Sequence, residues 1–385
     1  MDNYFRNLHI ISYRGISNLT INKLNAINLI VGDNNSGKTS LLEAIYLLRA
    51  PDSLNNVLRA SRLRITASPL SANNLSLYES FVSIFPKNSE ATGISIKADR
   101  SSGQLSLDIT GKETLDIIES ADFKDYPPSY RREKERDYIG TETVVFTGTL
   151  CSSVGVSQHE MPIRITPFSR FPASVAKNRL AANVVYLSPV SHITDDTFKN
   201  IVKSDNYKEI CISLIRLFDP DVEDLLYMPN EMTGRATEYI KSAKLGLMPL
   251  VSYGDGIKKV LSLANAIIEA SGGILLIDEI DTSIHYRVYS DIFRFLIKAA
   301  KKFNVQLFIT THSDEAIKEI LKTQEYTLAQ DSEEDMERTD MSAGFIDPIT
   351  VITLRKNNSG NVRARSMSGF DVLSNQELFN FEVRS

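Results

Sequence analysis

Residues 27–45, INLIVGDNNSGKTSLLEAI, constrain the fold more than any other stretch of this chain. Residues 27–31 read as a buried strand and residues 32–39 as a loop of the form Gly-x-x-x-x-Gly-Lys-Thr. Leu41, Leu42, Ile45 and Leu48 then recur at helical spacing. Strand, loop and helix in that order are the setting of a phosphate-binding loop. Gly32 and Gly37 permit backbone angles closed to other residues, so the amides of Asn34, Asn35 and Ser36 can turn toward phosphate oxygens. The helix beginning near Lys38 adds the positive end of its dipole. Lys38 is placed to reach the outer phosphates. The Thr39 hydroxyl is placed to hold Mg²⁺, and Ser40 completes the first turn.

A chain of 385 residues has room for two domains, or for one large domain with an insertion. The 42% hydrophobic and 24% charged shares are those of a water-soluble globular protein. A net charge of -5 argues against coating nucleic acid along the whole chain, though not against a local basic patch. Cys151 and Cys211 lack metal-ligand spacing and read as reduced, buried thiols of a cytoplasmic protein. No apolar run nears the ~20 residues needed to cross a bilayer, so no membrane partner is expected.

Residues 8–13 and 19–21 read as strands joined at Arg14-Gly15. Residues 94–98 and 105–109 read as a hairpin, and residues 144–150 as a further strand. The run from Arg131 to Arg136 reads as a charged surface loop. Residues 195–228 read as helical, broken at Asp219-Pro220. Past Pro249 comes the Gly-rich turn Ser252-Tyr253-Gly254-Asp255-Gly256, then a helix closed by Gly272-Gly273. Residues 274–277 form an apolar strand ending in Asp278-Glu279, and residues 306–311 another ending near His312. Apolar strands with polar tips, separated by helices, predict an α/β protein with ligands at the carboxyl ends of its parallel strands. Asp278 suits a carboxylate that holds Mg²⁺ through water. Glu279 suits a general base that polarises the attacking water, and His312 a contact to the γ-phosphate.

At these motifs the sequence resembles the ABC-type ATPases of the RecF/SMC/OLD branch, often called AAA-type ATP-binding proteins. GDNNSGKTS resembles their Walker A loop, ILLIDEID their Walker B strand with D-loop, and FITTHSDEAI their switch histidine. SYGDGIKK resembles their degenerate signature motif. IDEIDTSIHY, with His285, is similar to the OLD-like subgroup. YRGI resembles the N-terminal motif whose arginine, here Arg14, approaches the nucleotide phosphates. The resemblance implies an ABC-type P-loop ATPase sheet with a β-subdomain, a helical arm and an insertion. It implies ATP and Mg²⁺ as cofactors and two copies closing head to tail. Ser252, Gly254 and Gly256 of one copy would then cover the ATP of the other, with Asp281 at the contact. Lys258 and Lys259 would enrich the positive helix end there.

The expected division is 1–50 and 249–385 for the ATPase core, 51–183 for a β-rich insertion and 184–248 for a helical arm. OLD nucleases continue past the switch histidine into a Toprim domain, whereas this chain has only residues 313–385 beyond it. Asp331 to Asp335 sits in a polar stretch with no strand to mount paired carboxylates. Residues 349–354 and 361–365 read as a hairpin that finishes the ATPase sheet. The expected function is that of a switch or sensor ATPase, a homodimer or larger assembly controlling a separate nuclease or toxin, as in anti-phage defence. A RecF-like repair ATPase that binds DNA directly and a nucleotide-gated scaffold with slow hydrolysis are the alternatives.

Overall fold

Two patterns of apolar residues, one alternating and one continuous, build two kinds of sheet in the computed structural model. It describes residues 5–64, 75–87, 93–171, 180–194, 197–198, 200–229, 236–323, 349–357 and 360–379. The chain forms two compact units that interleave along the sequence. Unit 1 takes Met1–Lys23, Asn34–Ala182 and Leu354–Ala364. Unit 2 takes Leu24–Asp33, Asn183–Thr353 and Arg365–Ser385.

Unit 1 holds an antiparallel sheet. Its strands are β1 (Phe5–Tyr13), β2 (Ile16–Ile21), β4 (Gly93–Arg100), β5 (Gly103–Ile117), β6 (Glu142–Val154) and β7 (Ser157–Ile165), in the order β2-β1-β4-β5-β6-β7. Leu8 and Ile10 alternate with more exposed neighbours on β1, and Leu105, Leu107 and Ile109 are fully buried on β5. That is the period of a sheet buried on one face. The same unit carries α1 (Lys38–Leu47), α2 (Leu54–Ala60), α3 (Leu77–Val82) and α4 (Pro128–Tyr138). α1 buries Leu41, Leu42 and Ile45, as the helical spacing predicts. α4 replaces the charged loop expected at Arg131 to Arg136, and none of its residues is buried. It starts with a proline in its first turn, and Arg131 pairs with Glu135 one turn on at 2.7 Å. Good helix formers paired at this spacing sustain a solvated helix without an apolar face.

Unit 2 holds most of a second, mainly parallel sheet. β3 (Ile27–Val31), β8 (Val184–Leu187), β12 (Ile274–Ile277), β13 (Gln306–Thr310), β14 (Ile349–Lys356) and β15 (Val362–Ser368) lie in the order β15-β14-β3-β13-β12-β8. All five residues of β3, all four of β12 and all five of β13 are buried, because both faces of this sheet are covered. β14 lies parallel to β3, so the tail extends the sheet on the side away from β13. The expected α/β class is therefore found, with the phosphate-loop strand inside the sheet. Covering helices include α5 (Ser191–Thr194), α6 (Asp205–Ile215), α7 (Asp255–Glu269), α8 (Tyr289–Phe303), a helix α9 described over residues 314–323, and α10 (Gly369–Phe379).

The helical arm is corrected. Helix α6 ends at Ile215, and residues beyond Asp219-Pro220 form β9 (Val222–Pro229), which pairs with β10 (Ala236–Ser242) and through it with β11 (Gly246–Pro249). Val222 and Leu225 fit a helical stripe as well as a strand, and pairing across the hairpin decided between them. The acidic stretch Asp331 to Asp335 lies outside the described residues.

Candidate active site

The phosphate loop leaves β3 in unit 2 and enters α1 in unit 1. Gly32 has φ 143° and Gly37 has φ 101°, both closed to side chains without strain. Asn35 takes the left-handed region at φ 62°, which asparagine tolerates. Asn34 and Asn35 are exposed, Thr39 and Ser40 half-buried, and Lys38 buried at the start of the helix. The Ser36 hydroxyl is buried and has no hydrogen-bond partner among the described residues. A buried orphan hydroxyl in such a loop fits a ligand oxygen.

In unit 1 the loop faces a cavity of about 510 Å³. Asn35, Gly37 and Ser40 line it together with Arg14, Arg64, Lys87, Lys356 and Asn361, and no acidic residue lines it among those described. Arg14 sits at φ 50° in the tight turn between β1 and β2. Its Nε lies 2.8 Å from Glu43 Oε2. Glu43 is fully buried on α1 and also takes a two-pronged contact from Arg64, at 2.7 Å from Nε and 2.8 Å from Nη2. Arg64 Nη2 donates to Ser40 Oγ at 2.9 Å, and Tyr13 Oη donates to Glu43 Oε2 at 3.3 Å. Burial, and then the Glu43 charge, push the Tyr13 phenol well above its ordinary range, so it stays a donor. One buried carboxylate thus orients two guanidinium groups at the cavity wall.

The strand-end carboxylates belong to unit 2. Asp278 is buried at the end of β12, its Oδ2 accepting from Tyr186 at 3.1 Å and its Oδ1 from Thr310 Oγ1 at 2.6 Å. The same threonine oxygen accepts the Glu279 N–H at 2.8 Å. Glu279 stands at φ 50° and Ser283 at φ 67°, a strained path for residues with side chains. Asp281 accepts from Thr311 Oγ1 at 2.5 Å, which latches it to the end of β13, and half-buried His312 follows. Strand ends of β8, β12 and β13 therefore fix Asp278, Glu279, Asp281 and His312 in one region.

The signature segment starts α7. Ser252 and Gly254 are exposed and Gly254 caps the helix. A Cβ on Gly256 would come within 3.2 Å of the Ser283 carbonyl, so this glycine allows the helix start to meet the segment after Asp281. Lys258 pairs with Asp255 at 3.1 Å. Lys259, expected to enrich the positive helix end with Lys258, turns inward and is 2% exposed. Cys211 is buried as expected and Cys151 half-buried, both as free thiols, and burial pushes Cys211 up to about 12.

Arg64, Lys87, Lys356, Asn361 and Glu43 were not singled out from the sequence. Glu43 carried a faint signal, a lone acid beside the apolar stripe of α1. The others come from separate segments that share no motif.

Thr39 in unit 1 and Asp278 in unit 2 each offer a hard oxygen donor of the kind Mg²⁺ takes. Among the described residues no three His, Cys, Asp or Glu groups cluster as a metal cage. An ion bound chiefly through nucleotide phosphates and water needs none.

Residues 4–143 match the family described as "AAA ATPase domain". Residues 152–318 match the family described as "AAA domain, putative AbiEii toxin, Type IV TA system". An ATP/GTP phosphatase of Helicobacter pylori is 23% identical over 332 residues, covering 81% of this chain and 86% of that protein. The DNA replication and repair protein RecF of Pseudoalteromonas translucida is 58% identical over 36 residues, 9% of this chain and 10% of that protein. Among solved structures, an SMC head bound to the C-terminal winged-helix domain of ScpA superposes with TM-score 0.47 at 15% identity, covering 96% of this chain and 99% of that one. An SMC head from Thermotoga maritima gives TM-score 0.42 at 13% identity, covering 94% and 98%. Residues 4–143 and 152–318 thus resemble ATPase domains, and the chain is an ATPase.

Proposed function

We propose that the chain is an ABC-type switch ATPase of the RecF/SMC/OLD branch that binds ATP at the phosphate loop and hydrolyses it within a head-to-tail dimer. The observation that carries this reading is the cavity of unit 1, where Asn35, Gly37 and Ser40 share walls with Arg14, Arg64, Lys87 and Lys356. Loop amides beside several cations suit a nucleoside triphosphate. Gly32, Asn34 and Ser36 would cradle the phosphates, and Lys38 would neutralise the outer ones. Arg14 and Arg64 would steady the charge from the cavity wall. Mg²⁺, when bound, supplies charge neutralisation at the phosphates and would be held by Thr39 and Asp278. Glu279 would take the proton of the attacking water, and His312 would hold the γ-phosphate. The exposure of Ser252 and Gly254 at the start of α7 favours a role toward a second copy, with Gly256 beside them and Asp281 at the contact.

The output of the switch would lie in a separate effector such as a nuclease or toxin, in anti-phage defence. The family matched over residues 152–318 is described in a toxin–antitoxin setting, which favours a chain that works with a second protein. Calorimetric titration with ATP tests the core of this reading. Lys38→Ala should lose ~30-fold or more in affinity, the worth of charge-assisted contacts to phosphate. Unchanged affinity would remove the phosphate loop from the site. Tight, salt-sensitive DNA binding with no stable protein partner would favour the RecF-like alternative.

A further inference from the structure

Lys259 is a cation buried in unit 2 with little to hold it. Its residue is 2% exposed, and its ammonium donates to the Pro189 carbonyl at 3.5 Å. Among the described residues no carboxylate lies within ion-pair distance of its ammonium. Burial of a charge without a close partner is costly, and groups perturbed in this way cluster at functional sites. The Pro189 carbonyl it reaches lies two residues past Leu187, whose carbonyl accepts the Asp278 N–H at 2.9 Å where β8 runs beside β12. The ammonium therefore stands at the strand end that carries the acids, and the charges of Asp278, Asp281 and Glu279 act on it. His192, also buried, adds no second positive charge. Its imidazole is held below its usual range by burial first and by Lys259 next, so it stays neutral.

We propose that Lys259 is a positioning residue of the hydrolytic site, the internal counter-ion of the carboxylates at Asp278, Glu279 and Asp281. It rests on the reading of these carboxylates as the hydrolytic group. Lys259 is carried on α7, the helix that the signature segment starts, whereas the carboxylates follow β12. Thr310 and Thr311 fix Asp278 and Asp281 by hydrogen bonds, but hydroxyl groups bring no net charge against their mutual repulsion. Lys259 supplies it from the end of β8. It also links any displacement of α7, when the signature segment meets a nucleotide, to the field at the carboxylates.

Removing the ammonium has two opposite consequences. The carboxylates lose the charge that holds them together in register, so turnover falls. The same carboxylates become more attractive to a divalent cation, because a nearby positive charge is gone.

The test uses the full chain with Lys259→Met and Lys259→Arg, with Glu279→Gln as the control. Steady-state ATP hydrolysis gives kcat and KM, electron paramagnetic resonance titration of Mn²⁺ with a non-hydrolysable ATP analogue gives metal affinity, and thermal melting gives fold. Lys259→Met should lower kcat ~10-fold, leave KM within about threefold, and bind Mn²⁺ ~3–10-fold more tightly, while melting no lower than wild type. Lys259→Arg should recover at least half of kcat. Wild-type kcat and Mn²⁺ affinity in a well-folded Lys259→Met protein would overturn the proposal. So would a kcat loss that follows a fall in melting temperature with metal affinity unmoved. Should Lys259→Met fail to fold, Lys259→Gln is judged by the same readings. If Glu279→Gln turns over like wild type, the carboxylate reading itself fails, whatever Lys259 does.

Discussion

Glu43 shows how much rests on one side chain. Its buried carboxylate holds Arg14 and Arg64 together at the cavity beside the phosphate loop. Glu43→Gln keeps the shape and removes the charge. The variant should lose on the order of 2–4 kcal/mol of stability, because two guanidinium groups are left without their partner. It should also raise the KM for ATP several-fold, as the arginines leave their places. Urea unfolding and steady-state kinetics on one preparation check both, and an unchanged KM would detach Glu43 from nucleotide binding. Lys259 gives a pH prediction of definite sign. Burial lowers it from 10.5 to about 8, the nearby carboxylates opposing the shift. Between pH 8 and 10.5 the unfolded chain then binds more protons than the folded one, so stability from this group rises as pH rises through that window. Lys259→Met removes the group, so it should exceed wild type by roughly 2–4 kcal/mol at pH 7, and the gap should shrink toward pH 10. Urea midpoints at pH 7 and 9.5 measure it. A constant gap would mean that the lysine is not charged and buried as the fold places it.

At the scale of elements, the start of α7 is the most exposed part of the motif set. Ser252 and Gly254 face solvent, and Gly256 stands close to the Ser283 carbonyl. Ser252→Arg puts bulk and charge where a second copy would cover the nucleotide. ATP binding to the single chain should stay within about twofold of wild type, because this residue is not part of the phosphate loop, while hydrolysis should fall ~100-fold or more. Mixed with Lys38→Ala, it should regain partial activity through the one composite site that stays whole. Full activity of Ser252→Arg alone would sink the two-copy site. The elements that sequence misjudged, the hairpin after Pro220 and the charged helix α4, erred in opposite directions. One had a helical pattern that pairing overrode. The other had no apolar pattern at all, and side-chain pairs along the helix made it.

For the whole molecule the inventory of carboxylates sets the expectation. The proposed function gives Asp278 and Glu279 to nucleotide and Mg²⁺, and among the described residues no three metal-binding groups cluster. On the proposed function the purified chain should hydrolyse ATP yet leave DNA and RNA uncut with Mg²⁺ or Mn²⁺. Gel assays on plasmid, linear DNA and RNA check this. Metal-dependent cutting that disappears with a carboxylate outside the nucleotide site would show an effector within the chain itself.

Local chemistry determined the phosphate loop, the buried parallel strands and the strand-end acids. Each is written in consecutive residues, where periodicity and glycine placement act over a few bonds. Even the strand completing the sheet near the end of the chain was legible from its own apolar run. Tertiary structure alone decided the rest. Arg64 meets Glu43 from 21 positions away, Lys356 reaches the same cavity from near the other end of the chain, and Lys259 turns inward at the start of α7. Burial and long-range charge depend on what the fold brings alongside a residue, and no window of neighbouring residues contains that.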